Sequence, residues 1–142
     1  MSSTEAPAEN LHGLGKGTCP NLTVVAAMLN ERGQLESWLE NLSWVDHIVI
    51  VDHGSCDGSL EFMKKQPQCH CVSATKGEGL IEDIRSHGLA VVEDGWVLVL
   101  DMDERVTQEL REEIESAIMD NPEEDGFRIP FRHYVFGRWL KH

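Results

Sequence analysis

Trp96-Val97-Leu98-Val99-Leu100-Asp101-Met102-Asp103-Glu104 decides how the rest of the chain is read. Five apolar residues rich in Val and Leu, entered through Asp94-Gly95, have the length and composition of a strand buried on both faces, as in a parallel sheet. Three carboxylates follow at its carboxyl end, the edge at which open α/β sheets bind ligands. Two carboxylates about 4 Å apart repel by about 4 kcal/mol at an effective dielectric of about 20, so the arrangement calls for a compensating cation. Oxygen donors from Asp and Glu suit a hard divalent ion, Mg2+ or Mn2+, shared with substrate phosphates.

Outward from this stretch, strand and helix signals alternate. Residues 23–29 (TVVAAML) are β-branched and apolar and end at Asn30-Glu31, which reads as a first strand with Asn30 capping a helix. Leu35, Trp38, Leu39 and Leu42 recur at i, i+3, i+4 and i+7, the stripe of that helix. A second strand, residues 47–51 (HIVIV), ends at Asp52. The loop after it, HGSCDGS, is rich in glycine and hydroxyls, and Ser55 or Asp57 is expected to cap a helix carrying Leu60, Phe62 and Met63. A weaker strand follows at residues 69–74, then a helix marked by Ile81, Ile84 and Leu89. After the Trp96 strand, Thr107 opens a helix with Leu110, Ile114, Ala117 and Ile118 at helical spacing. Such alternation predicts an α/β fold with a mostly parallel, Rossmann-like sheet, right-handed crossovers and helices on both faces. Residues 126–136 (GFRIPFRHYVF) read as extended, with Pro130 confining them to an edge or a bulge.

Composition bounds the function. The 142 residues suit one core, and no apolar run approaches the roughly 20 residues of a membrane helix. Residues 1–21 lack the apolar centre of a signal peptide and read as a disordered lead-in to a domain at 22–142. The four cysteines are then reduced thiols and the expected location is cytoplasmic. A net charge of -13 argues against nucleic acid as a partner. All 25 acids precede residue 126, whereas Arg128, Arg132, Arg138 and Lys141 make the last stretch purely basic. That segment is matched either to something anionic, such as a diphosphate or a lipid head group at a membrane surface, or to the acidic body itself. Cys69-His70-Cys71 offers zinc-type donors but no second pair, and two cysteines at i, i+2 of a strand merely share a face. Trp38, Trp44 and Trp96 sit in periodic or apolar contexts and read as structural, whereas Trp139 adjoins Arg138 and Lys141, where it would stack on a sugar or rest at a membrane interface.

Three polar strand ends, Asn30-Glu31, Asp52 and Asp101-x-Asp103-Glu104, thus fall on one sheet edge, as a nucleotide crevice requires. WVLVLDMDERVTQEL, with IVIVDHGSCDGS before it and GFRIPFRHYVFGRWLKH after it, resembles the nucleotide-binding half of a family 2, GT-A fold glycosyltransferase, in particular bacterial enzymes of the lipopolysaccharide inner core. The resemblance covers residues 22–142. It implies a nucleotide-diphosphate sugar donor, the UDP form by analogy, and a cell-envelope glycolipid or polysaccharide acceptor. It assigns Asn30 and Glu31 to the donor nucleotide pocket, Asp52 to base or ribose, Arg85 to nucleobase or phosphate, Asp101 to ribose and metal positioning, and Asp103 to the metal on the diphosphate. Met102, His53 and Cys56 depart from the residue types usual there.

The resemblance also implies a further acceptor-binding part, which this chain is expected to lack. Only 38 residues follow Glu104, and their acids lie in the helix from Thr107 or the turn after it, so no general base is assigned, and His133 reads as structural or surface. A module that binds the nucleotide sugar without transferring it is the non-enzyme alternative. A haloacid-dehalogenase-like phosphatase would also carry Asp-x-Asp after an apolar strand, but with that motif opening the first strand and a longer chain behind it. A receiver domain would need an acidic pair after strand one, and a nucleotidyltransferase a basic, glycine-rich loop; Asn30-Glu31-Arg32-Gly33 is neither.

Overall fold

The computed structural model describes residues 19, 21–74, 81–120, 123–132, 134–135 and 138–139. Its centre is a four-stranded sheet formed by β1 (Leu22–Met28), β2 (His47–Asp52), β3 (Cys69–Ser73) and β4 (Trp96–Val99) in the order β3-β2-β1-β4, with every pairing parallel. Parallel strands need long crossovers, and the helices α1 (Leu35–Asn41), α2 (Ser59–Met63) and α3 (Ile81–Leu89) supply them. The expected lead-in at residues 1–21 falls largely outside the described residues, as do His133, Lys141 and the side chain of Trp139.

The alternation of the pleat sends β1 and β2 into two cores. Val24, Ala26, Met28, Ile48 and Ile50 face the larger one, where they meet Leu35, Trp38, Leu39 and Leu42 of the first crossover and Met63 of α2. Leu110, Ile114 and Ile118 of α4 (Gln108–Met119) close the same layer. On the opposite face, Val51, Ala74 and Ile84 cluster beneath α3. Gly88 lets that helix approach: a Cβ there would lie 2.6 Å from Val25 Cγ1 and 2.7 Å from Val51 Cγ2. Right-handed crossovers explain the division, because stepping outward from β1 to β3 places α1 and α2 on one face, and stepping back past β1 to β4 places α3 on the other. The helices on both faces are therefore as expected, and the strand boundaries fall within one or two residues of those read from the sequence.

Three local expectations are corrected. β4 is an edge strand rather than one buried on both faces: Val99 is 42% exposed, because no strand lies beyond it among the described residues. Asn30 does not cap α1; it adopts a left-handed conformation (φ 56°), and a 3-10 turn at Arg32–Gln34 intervenes before α1 begins. Neither Ser55 nor Asp57 occupies the N-cap of α2, where Gly58 stands (φ 89°). Thr107 does cap α4, accepting a hydrogen bond from the Leu110 N–H at 3.2 Å. Residues 126–132 carry no strand, and among the described residues the pairing near them is a short antiparallel one, β5 (Tyr134–Val135) with β6 (Arg138–Trp139).

Candidate functional site

The strand order reverses between β1 and β4, which opens a crevice outside their carboxyl ends. A cleft of about 550 Å³ lies there. The end of β1 and the turn after it contribute Ala27, Met28, Leu29, Glu31 and Gln34; His53 enters from beyond β2, Ile81 and Ile84 from α3, and Asp101, Met102 and Asp103 from beyond β4. One wall is thus apolar and the other acidic. Of the residues expected from the sequence, Glu31, Asp101 and Asp103 line this cleft, whereas Asn30, Asp52 and Arg85 are not among its lining residues.

The first acidic loop is held by a zipper between two strand ends. The Asn30 N–H donates to Ser55 Oγ at 2.9 Å, and the Cys56 N–H donates back to Asn30 Oδ1 at 2.8 Å. Next along the chain the Glu31 N–H donates to Ser59 Oγ at 2.9 Å and the Arg32 N–H to Asp57 Oδ2 at 3.0 Å. Ser59, fully buried, donates its own hydroxyl to Asp57 Oδ1 at 2.5 Å, and that bond chiefly holds the Asp57 carboxyl below its ordinary range. Asp52 is 3% exposed, and its carboxylate accepts from the Gly54 N–H at 3.1 Å and from the Ser55 N–H. The D-x-G-S-x-D-G-S pattern is therefore a loop-building device: its polar side chains satisfy backbone donors that would otherwise be orphaned. The brace from Ser55, Asp57 and Ser59 was not foreseen, although the spacing of the motif carries it.

The second acidic turn is tied to the core. The Trp38 indole donates to the Asp101 carbonyl at 3.0 Å, the Asp101 N–H donates to Glu104 Oε2 at 2.8 Å, and Met102 is buried beneath. Glu104 thus serves the turn, while Asp103 is exposed toward the cleft. Arg85, on α3, forms an ion pair with Asp101 through Nη2. Among the described residues, the buried Arg85 Nε and His53 Nδ1 have no hydrogen-bond partner. Trp38 and Trp44 are buried, as expected of structural tryptophans, and Trp96 stacks at 5.4 Å on Phe127.

As a metal site, Asp101 and Asp103 supply hard oxygen donors only. No group of three His, Cys, Asp or Glu converges among the described residues, so a divalent ion there would complete its shell with water and ligand oxygens, the habit of Mg2+. The donor set fits such an ion. At Cys69-His70-Cys71 the pleat of β3 puts the two half-buried thiols on one face and the exposed His70 on the other, and burial raises both thiols, that of Cys69 to about 12.

Residues 23–140 match the family described as Glycosyl transferase family 2. The chain is 28% identical over 122 residues to the lipopolysaccharide core biosynthesis glycosyltransferase LpsC of Rhizobium meliloti (strain 1021), a match covering 82% of this chain and 44% of that protein. Its fold is similar to the crystal structure of S. aureus TarS 1-349, with a TM-score of 0.59 and 18% identity over 79% of this chain and 39% of the other. The chain spans less than half the length of either relative.

Proposed function

The chain belongs to glycosyl transferase family 2, and from that premise we propose that it forms the donor side of a glycosyltransferase, binding a nucleotide-diphosphate sugar, a UDP-sugar in the first instance, through a divalent ion. The observation that carries this reading is the crevice at the strand-order reversal, where Glu31 from beyond β1 meets Asp101 and Asp103 from beyond β4. Asp101 and Asp103 hold the ion; Glu31 and the apolar wall of Leu29 and Ile81 receive the nucleoside. Asn30 and Asp52 act one layer back, by shaping the loops that present those groups. When bound, the ion stabilises the charge that grows on the nucleoside diphosphate as the sugar leaves. The name of LpsC supports a cell-envelope glycan as the acceptor class. The exposed Arg128 and Arg132 would then face an anionic lipid surface during that transfer.

Calorimetry with UDP, with and without MnCl2, tests the reading. The expected result is binding that depends on the metal. No binding of UDP under either condition overturns it.

A further inference from the structure

Arg105 clasps the second acidic turn through its backbone. Nη1 donates to the carbonyl oxygens of Met102 and Glu104, both at 2.8 Å, and Nη2 donates to Ser37 Oγ of α1 at 2.9 Å. Residues 101–104 form a β-turn, closed by the Glu104 N–H on the Asp101 carbonyl at 3.1 Å. The Met102 carbonyl belongs to the central peptide of that turn, the one whose flip separates β-turn types I and II, and Asp103 is attached to it. From the turn the hydrogen bonds run on to the other acidic loop. Ser37 Oγ, which accepts from Arg105, donates to the Gln34 carbonyl at 3.1 Å, and the Gln34 amide donates to Glu31 Oε2. Glu31 and Gln34 line the cleft from the side of β1, as Asp101 and Asp103 do from the side of β4.

We propose that Arg105 is a positioning residue of the cation site: it fixes the central peptide of the turn that presents Asp103, and through Ser37 and Gln34 it ties that turn to Glu31. This rests on the donor-site reading above. Arg105 is not among the residues that line the cleft, so it acts on a bound ion through the groups it holds. A guanidinium suits the task, because its planar fork reaches the turn and the helix at once, and hydrogen bonds from an ionised donor are stronger than neutral ones. Its charge acts in the opposite sense. A cation near Glu31, Asp101 and Asp103 repels an incoming divalent ion, so by charge alone its removal would tighten metal binding. Position outweighs charge here. Arg105 is exposed, where water and salt screen its field, whereas a group that orients a metal ligand is typically worth about 10- to 100-fold in affinity.

The sign of the change in affinity is the test. In Arg105→Met, calorimetry with UDP at saturating MnCl2 should show binding about tenfold weaker than in the wild type. Arg105→Lys keeps a charged donor for the two carbonyls and should recover most of that loss. Urea unfolding of the same variants without metal or nucleotide separates positioning from a purely structural role, which would lower stability and leave the affinity of the folded variant unchanged. A folded Met variant that binds UDP with Mn2+ as tightly as the wild type, or more tightly, overturns the positioning role while the donor site stands. A Lys variant as weak as the Met variant overturns it too. If the wild type binds no UDP with Mn2+, the donor site itself fails and this inference goes with it.

Discussion

The indole of Trp38, a fully buried residue of α1, donates its Nε1 hydrogen to the carbonyl oxygen of Asp101 at 3.0 Å. The turn that carries both cleft-facing carboxylates is therefore anchored from below by the hydrophobic core. Trp38→Phe keeps most of the ring and removes the donor; the carbonyl keeps the Glu104 N–H at 3.1 Å, so the expected cost is that of one hydrogen bond, about 0.5–1.5 kcal/mol. Urea unfolding reads the loss, and UDP binding in Mn2+ should weaken with it; unchanged affinity at reduced stability would separate the anchor from the site.

Asp103 is exposed and lines the cleft. Asp103→Ala should abolish metal-dependent UDP binding while shifting stability by no more than about 0.5 kcal/mol, the usual range for exposed positions. Retained Mn2+-dependent binding in that variant would remove Asp103 from the metal.

Ser59 links the two loops at once, accepting from the Glu31 N–H and donating to Asp57. With Ser59 fully buried, Ser59→Ala leaves the Glu31 amide without an acceptor, so a loss of about 1–3 kcal/mol is expected, together with weaker UDP binding through a displaced Glu31. Thermal unfolding and calorimetry on the one variant check both halves.

Gly88 sits in a helix, where alanine is ordinarily better by about 1 kcal/mol. Here packing wins, because the added Cβ would fall 2.6 Å from Val25 Cγ1. Gly88→Ala should therefore destabilise by about 1–3 kcal/mol, the usual cost of overpacking. A stabilised variant would mean that α3 moves outward freely.

Burial raises the Cys69 thiol from its ordinary 9.0 to about 12. The unfolded chain releases that proton first, so stability should be level below pH 9 and fall as pH rises toward 12, with the folded state holding the proton that the unfolded one has lost. Cys69→Val should flatten that part of the profile in urea titrations. At pH 8 the exposed Cys56 should be alkylated well before Cys69.

Periodicity was a good guide where neighbours in sequence are also neighbours in space. Leu35, Trp38, Leu39 and Leu42 show their helix at once, and Thr107 shows its cap. It misled at Asn30 and Asp57, both ordinary capping types: Asn30 bonds across 25 and 26 residues, and Asp57, besides accepting from Ser59 in its own turn, reaches 25 residues back to the Arg32 N–H. A capping residue and a loop brace have the same chemistry, and only the partner distinguishes them.

From the amino-acid order alone came the alternation of strand and helix, the parallel class of the sheet and the placing of acids at strand ends. These depend on side-chain period and turn chemistry within a few residues. Tertiary structure decided that β4 lies at an edge, that the crevice opens between β1 and β4, and that Arg85 meets Asp101 across 16 residues. Those outcomes turn on which strands become lateral neighbours and on which face each crossover lands, and no local pattern in the chain encodes them.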